Sequence, residues 1–239
     1  MNHIIIVNSI EEILQAIQCG IDLLMVDLET IGKRERQIAW KTHLSDSDGI
    51  SILECLDRDT VTELIVRTEP YFDNYGEHVR LLYNLGVRKF MLPYFSDAQT
   101  VGLMLHEIPR DCHVVLLFET IKSVMRFEEI LELVGQRNFA VHVGLNDLSI
   151  TLDVRENMFE PLLSGVLDYF CETMVNRKID FGIGGIAQLG FNHGLYSPEF
   201  LLNTYKSKGA NWVILNRAFK QWMATRESQE IINMVQSLR

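Results

Sequence analysis

Long apolar runs are missing from this sequence. No stretch approaches the roughly 20 residues that a bilayer-spanning helix needs, so no membrane partner is expected. The opening segment, 1–7, is too short for a secretory signal and lacks the basic flank of one. Cysteine is sparse: Cys19, Cys55, Cys112 and Cys171 are scattered without a C-x-x-C pair. That argues against a disulfide framework or a zinc site and points to a reduced, cytoplasmic setting. Positive charge is in deficit, with 22 Lys and Arg against 32 Asp and Glu and a formal net charge of −10. Nucleic acid is therefore not expected as a partner. An anionic substrate would need a local cluster of Arg and Lys to work against the overall field. No linker, low-complexity tract or internal boundary divides the chain. Its 239 residues, 47% hydrophobic, suit one large α/β domain spanning 1–239.

What is present is a repeated design. Gln18-Cys19-Gly20, Asn84-Leu85-Gly86, Leu133-Val134-Gly135 and Ser207-Lys208-Gly209 each end an amphipathic stretch and precede an apolar run. Glycine directly after a helix is the left-handed C-cap, and helix–glycine–strand units mark βα repeats with parallel strands. Eight strands are predicted: Ile4–Val7, Leu23–Asp27, Leu64–Arg67, Lys89–Pro93, Val114–Glu119, Ala140–Gly144, Phe181–Gly184 and Trp212–Leu215. Most are continuous apolar runs, as strands covered by helices are. Between them lie helical patterns. Ile10, Ile13, Leu14 and Ile17 follow a Ser9-x-x-Glu12 capping box; Leu162, Leu163, Val166, Leu167, Phe170 and Met174 form a second stripe. A final helix is expected over about 217–238. Eight strands, each followed by a helix, predict a (β/α)8 TIM barrel, with a doubly wound open sheet as the competing architecture. The one long connection, 28–60, is expected to hold a short helix near 50–56 and an active-site loop.

In such a barrel, functional residues sit at the C-terminal ends of strands and in the loops that follow. Those positions read Asp27-Leu28-Glu29 with Lys33, Arg34 and Arg36 beyond, then Arg67-Thr68-Glu69, Glu119, Asn146-Asp147 and Gly182-Ile183-Gly184-Gly185. Glu119 and Asp147 are the metal candidates, because a magnesium-like ion takes one or two carboxylates and leaves its other positions to water and substrate. Their competing roles are structural: Asp147 capping the next helical turn, Glu119 pairing with Lys122 or Arg126. Arg67 would grip a carboxylate or stabilise an oxyanion, unless it is spent on Glu69 or Glu29. Gly184 and Gly185 permit close backbone approach where strands seven and eight often form an anion pocket; the G-x-G-x-x-G dinucleotide spacing is absent. Lys33 and Arg36 are candidates for a distal carboxylate or phosphate, or simply solvated loop charges. His43, His193 and Tyr196 lie in loops, where packing competes with substrate contact.

Val26-Asp27-Leu28-Glu29, Val66-Arg67, Glu119, His142-Val143-Gly144-Leu145-Asn146-Asp147-Leu148-Ser149 and the Gly-rich turn after strand seven, taken in order, resemble one family. It is the class II pyruvate aldolase and citrate lyase β-subunit (HpcH/HpaI) family, and the resemblance covers about 21–217. It implies a pyruvate-type barrel in which Glu119 and Asp147 hold Mg2+ or Mn2+ and Arg67 stabilises the enolate oxygen of a 2-oxo acid. Asp27 and Glu29 are implied as catalytic, and C-terminal helices as packing across the subunits of a homo-oligomer. The expected activity is a metal-dependent carbon–carbon lyase or aldolase. The alternatives are phosphoenolpyruvate mutase-like or hydrolytic chemistry on the same platform, or a non-catalytic barrel that binds an acidic metabolite. The sequence departs from the family at Thr30, where aldolases place a histidine after Asp-x-Glu and citrate lyases an aspartate. Threonine is no base at neutral pH, so proton transfer falls to Asp27, Glu29, His43 or a water on the metal.

Overall fold

In the computed structural model, which describes residues 1–30, 49–154 and 157–239, eight parallel strands close on themselves. They are β1 (Asn2–Val7), β2 (Leu23–Asp27), β3 (Ile65–Arg67), β4 (Lys89–Leu92), β5 (His113–Phe118), β6 (Phe139–Val143), β7 (Phe181–Ile186) and β8 (Trp212–Leu215). Each pairs with its sequence neighbours and β1 also pairs with β8, so no edge is left and the doubly wound sheet is excluded. The architecture is a (β/α)8 barrel with helices between the strands.

The apolar strands are buried on both faces. Alternate residues Ile4, Met25, Ile65, Met91, Val115, Leu117, Ala140 and Trp212 pack together inside the barrel. Their neighbours, such as Ile5, Leu24, Val66, Phe90 and Val114, join the larger core beneath the helices. Side chains two residues apart share a face, so the inner rows lead upward to whatever stands at the mouth. The four capping glycines all take positive φ.

The local differences from expectation have identifiable causes. Strand β7 runs two residues past Gly184, through an irregular register between Gly182 and Gly185 against β8. The C-terminal helix is two helices, Arg217–Met223 and Ser228–Ser237, the second starting after Glu227 in extended conformation. Ile231, Val235 and Leu238 are buried against the chain's own barrel. The 162–174 stripe is likewise broken, into Glu160–Leu163 and Asp168–Arg177, with Gly165 at positive φ between them. On the first helix, Ile10–Gln18, Ile13 and Ala16 are buried while Leu14 and Ile17 are exposed. An outer helix needs only a narrow face against the strands. Ser9 caps that helix by accepting from Glu12 N at 3.2 Å, and Glu12 reaches back to Asn8 N at 2.6 Å. The short helix in the long connection is Gly49–Cys55. No helix among the described residues is long and apolar enough to cross a membrane.

One interior residue makes the barrel pH-sensitive. His142, two residues above Ala140, is buried and accepts a hydrogen bond from Trp212 Nε1 at 3.1 Å. Burial holds its pKa down to about 3, against the pull of the Gly184 backbone. The unfolded imidazole titrates near 6.5, so below that pH the unfolded chain binds a proton that the folded one refuses. Stability from this group is full above the unfolded pKa and is lost progressively as pH falls towards 3, about 2 kcal/mol of it by pH 5. Urea denaturation at pH 7 and pH 5 should show the loss, and His142→Gln should flatten it. An unchanged slope in the variant would assign the loss to other groups.

Candidate functional site

The inner rows end in charge. Met25 leads to Asp27, Ile65 to Arg67 and Leu117 to Glu119, each two residues further along its strand. Asp27 and Arg67 are partners in the β2–β3 register. Arg67 donates from Nε to Asp27 Oδ1 at 2.8 Å and from Nη2 to Asp27 Oδ2 at 2.6 Å, a bidentate fork. Glu29 Oε2 lies 3.5 Å from Arg67 Nε, so the alternative pairing with Glu29 is present, and weaker. Buried arginine would lose its proton more readily, but Asp27, then Glu29 and Glu119, drive its pKa up and keep it cationic. Two of its five N–H donors are spent on Asp27, leaving three for a ligand.

Opposite stand the two metal candidates. Glu119 Oε1 accepts from Tyr94 N at 2.9 Å, with Tyr94 held at φ 49°. The Arg126 guanidinium is engaged with Glu129 instead. Burial raises the Glu119 pKa well above the ordinary carboxylate value, and the charges of Glu29 and Asp147 push it further; Arg67 and the Tyr94 N–H only partly offset them. Asp147 lies in the helix Leu145–Thr151, which has no side-chain cap, and its buried Oδ1 has no hydrogen-bond partner. Capping is thus not the role of Asp147. Strand pairing of β5 with β6 sets Gly144 beside Glu119, where a Cβ would come within 2.9 Å of the Glu119 Cβ. Only glycine lets the two strand ends sit this close.

This donor set suits a hard cation. An orphaned carboxylate oxygen and a carboxyl group raised in pKa by burial and by like charges are what an added divalent ion would relieve. Among the described residues no group of three His, Cys, Asp or Glu side chains is spaced to hold an ion. A magnesium-like ion commonly takes only one or two carboxylates and leaves its other positions to water and substrate.

Asp27, Arg67, Glu119, Asp147, Gly184 and Gly185 all line one cavity of about 590 Å3 at the barrel mouth. Glu29 is buried beside Arg67 and is not among the residues that line the cavity. Gly184, at φ +56°, owes its missing side chain to internal packing, since a Cβ would meet Leu145 Cδ1 at 2.7 Å. Thr30 donates from N and Oγ1 to Glu69, at 2.8 and 2.5 Å, so its hydroxyl is occupied. His193 lines the cavity and sits 2.9 Å from Asn216 Nδ2, whereas Tyr196 packs against Phe159 and Phe200. Lys33, Arg36 and His43 lie outside the described residues.

Sequence reasoning missed one wall entirely. Asn8 follows β1, Asn216 and Arg217 follow β8, and Lys220 and Gln221 come a turn later; all five line the cavity. The strand-end rule that found Asp27 and Glu119 also reaches Asn8 and Asn216, had it been applied to the first and last strands.

No protein-family profile and no curated protein sequence matches this chain. Solved structures do. A structure described as citrate synthase SbnG shares 15% identity over 99% of this chain and 94% of that one, with a TM-score of 0.61. An HpcH/HpaI aldolase from Desulfitobacterium hafniense DCB-2 shares 18% over 93% and 90%, TM-score 0.60. The citrate lyase β subunit from Mycobacterium tuberculosis shares 16% over 99% and 96%, TM-score 0.59. These neighbours come from the family that the strand-end motifs resemble, and at such identities the likeness establishes the shared fold.

Proposed function

We propose that this chain is a metal-dependent carbon–carbon lyase or aldolase that acts on a 2-oxo acid through its pyruvate-like enolate. The observation that carries the reading is the Glu119–Asp147 pair: one carboxyl raised in pKa, one with an unpartnered buried oxygen, both in a cavity with a forked arginine. Neighbours named for citrate synthesis, citrate cleavage and aldol chemistry support a carbon–carbon bond reaction on a small carboxylated substrate.

In this reading Glu119 and Asp147 hold Mg2+ or Mn2+. When bound, that ion supplies Lewis acidity towards the carboxylate and 2-oxo oxygens. Arg67 directs its remaining N–H donors at the oxygen that gains charge as the adjacent carbon–carbon bond breaks or forms. A fixed cation there stabilises the transition state without reorganising. Asp27 locks the guanidinium plane, and so acts as a positioning residue. Proton transfer is assigned to Glu29, buried 3.5 Å from Arg67 Nε. Gly184 and Gly185 offer backbone to the substrate.

Calorimetric titration of oxalate, a planar mimic of the pyruvate enolate, into chelator-stripped protein tests this. Binding is expected only when Mg2+ or Mn2+ is supplied, and Asp147→Asn should abolish it. No binding under any condition would leave the carboxylates structural and the likeness one of fold alone. A second reading has its own observation: Thr30, at the family's base position, is tied to Glu69. Metal-dependent oxalate binding without turnover of any aldehyde or acyl-thioester would favour a barrel that binds an acid and does no chemistry.

A further inference from the structure

The cavity has two chemically different walls. The carboxylates Glu119 and Asp147 come from the ends of β5 and β6, and the ends of β1 and β8 form another part of the same mouth, with β1 four strands from β5. That second wall is cationic and amide-rich, in a protein of net charge −10. Most of its polar groups are already committed. Lys220 Nζ pairs with Glu12 at 2.8 Å. Asn8, with its amide turned so that Nδ2 donates to the Val7 carbonyl, accepts from Lys220 at 3.2 Å. Asn216 is held between His193 Nε2, at 2.9 Å, and Phe219 N, at 3.2 Å.

Of that wall's two cations, Lys220 is paired and Arg217 has no partner among the described residues. It lines the cavity from the residue after Asn216, and no hydrogen bond or ion pair engages its guanidinium among the described residues. Partial burial lowers its pKa from the ordinary arginine value, while Asp27 favours its charge and Arg67 opposes it. It therefore faces the same space as the Arg67 fork without being spent on it. An arginine with no partner among the described residues, in a cavity that also holds three carboxylates, is a receptor for planar anionic oxygens. Volume points the same way. About 590 Å3 is in the range of sites for ligands much larger than a three-carbon acid. A pyruvate-like unit at the carboxylates leaves the Arg217 side for the rest of the substrate.

We propose that Arg217 forms a second anion subsite, holding a carboxylate or phosphate at the far end of the substrate or on its acceptor. The substrate class is thus a dianion: a 2-oxo acid head at Arg67 and an anionic tail at Arg217. This rests on the enolate-platform reading for the head and is independent of it for the tail.

The test titrates four probes into manganese-loaded wild type, Arg217→Gln and Arg217→Lys. Oxalate and pyruvate report the head alone; 2-oxoglutarate adds a distal carboxylate, and phosphonopyruvate a distal phosphonate. Wild type should bind at least one of the two tailed probes, 2-oxoglutarate or phosphonopyruvate, tenfold or more tighter than pyruvate. Which one it prefers names the tail as carboxylate or phosphate. Arg217→Gln should erase that preference, Arg217→Lys should keep part of it, and oxalate affinity should stay within about twofold throughout. Far-ultraviolet circular dichroism controls for folding, which the exposed position of Arg217 should spare. No preference for a tailed probe in wild type, or one that survives Arg217→Gln, overturns the subsite even if oxalate binds. Arg217-dependent binding of a tailed probe in protein that ignores oxalate would keep the subsite and remove the enolate platform instead.

Discussion

Glu119→Gln is expected to raise the thermal stability of the metal-free protein and, in the same molecule, to abolish metal-dependent binding of oxalate. The native carboxyl is buried, with Glu29 and Asp147 as the neighbouring charges that disfavour its ionisation. Glutamine keeps an oxygen for the Tyr94 N–H at 2.9 Å and carries no charge. The pH dependence fixes the sign. The folded pKa lies above the unfolded value of about 4.5, so between the two the folded state binds more protons than the unfolded one. Wild-type stability from this group therefore falls as pH rises through that window, and the advantage of Glu119→Gln should be larger at pH 8 than at pH 5. A gain of about 1 kcal/mol would appear as roughly 2–4 °C in Tm for a chain of this length. Manganese should reverse the ranking, because an ion that binds only the folded wild type stabilises it by mass action. Scanning calorimetry at two pH values, with and without Mn2+, reads all of this. A variant that is less stable at both pH values, or that still gains Tm from Mn2+, would show that Glu119 serves structure and not a metal.

Much of this site was legible in the sequence, for a geometric reason. Barrel strands are apolar on both faces, so a polar residue that ends one stands out, and period-two alternation says which side it faces. Asp27, Arg67 and Glu119 follow Met25, Ile65 and Leu117 on the inner rows and stand at the mouth for that reason alone. What escaped depends on register and on chain direction. The Asp27–Arg67 fork joins residues 40 apart, and only the β2–β3 pairing reveals that it outcompetes Glu29 and Glu69 for the guanidinium. Tyr94 contributes a backbone N–H at positive φ, a property that its side chain does not announce. The break at 224–227 in the C-terminal segment escaped because apolar spacing continues across it: Met223 is buried before the break and Ile231 after it. The same break puts Arg217 and Lys220 on a short helix at the cavity, separate from the helix that covers the barrel flank.

The fork itself makes the second large prediction: Arg67→Met should destabilise the fold by about 3–5 kcal/mol, the cost of removing a forked cation from beside two buried carboxylates. Asp27 and Glu29 have side chains only 5% and 1% exposed, and Arg67 lies 2.6 Å from the one and 3.5 Å from the other. Turnover should vanish with it, which by itself would not separate a structural role from a chemical one. Two further variants do. Asp27→Leu combined with Arg67→Met replaces the ion pair with apolar volume and should recover much of the stability, since buried pairs are often no better than hydrophobic packing. Activity should stay absent, because the charge that faces the reacting oxygen is still missing. Arg67→Lys keeps a cation but cannot span Asp27 while presenting further N–H groups. It should fold, retain metal-dependent oxalate binding within about tenfold, and lose most of kcat with little change in KM, as expected for an interaction that strengthens only in the transition state. If Arg67→Lys instead raises KM and spares kcat, Arg67 is a binding residue and the oxygen that gains charge lies elsewhere in the cavity.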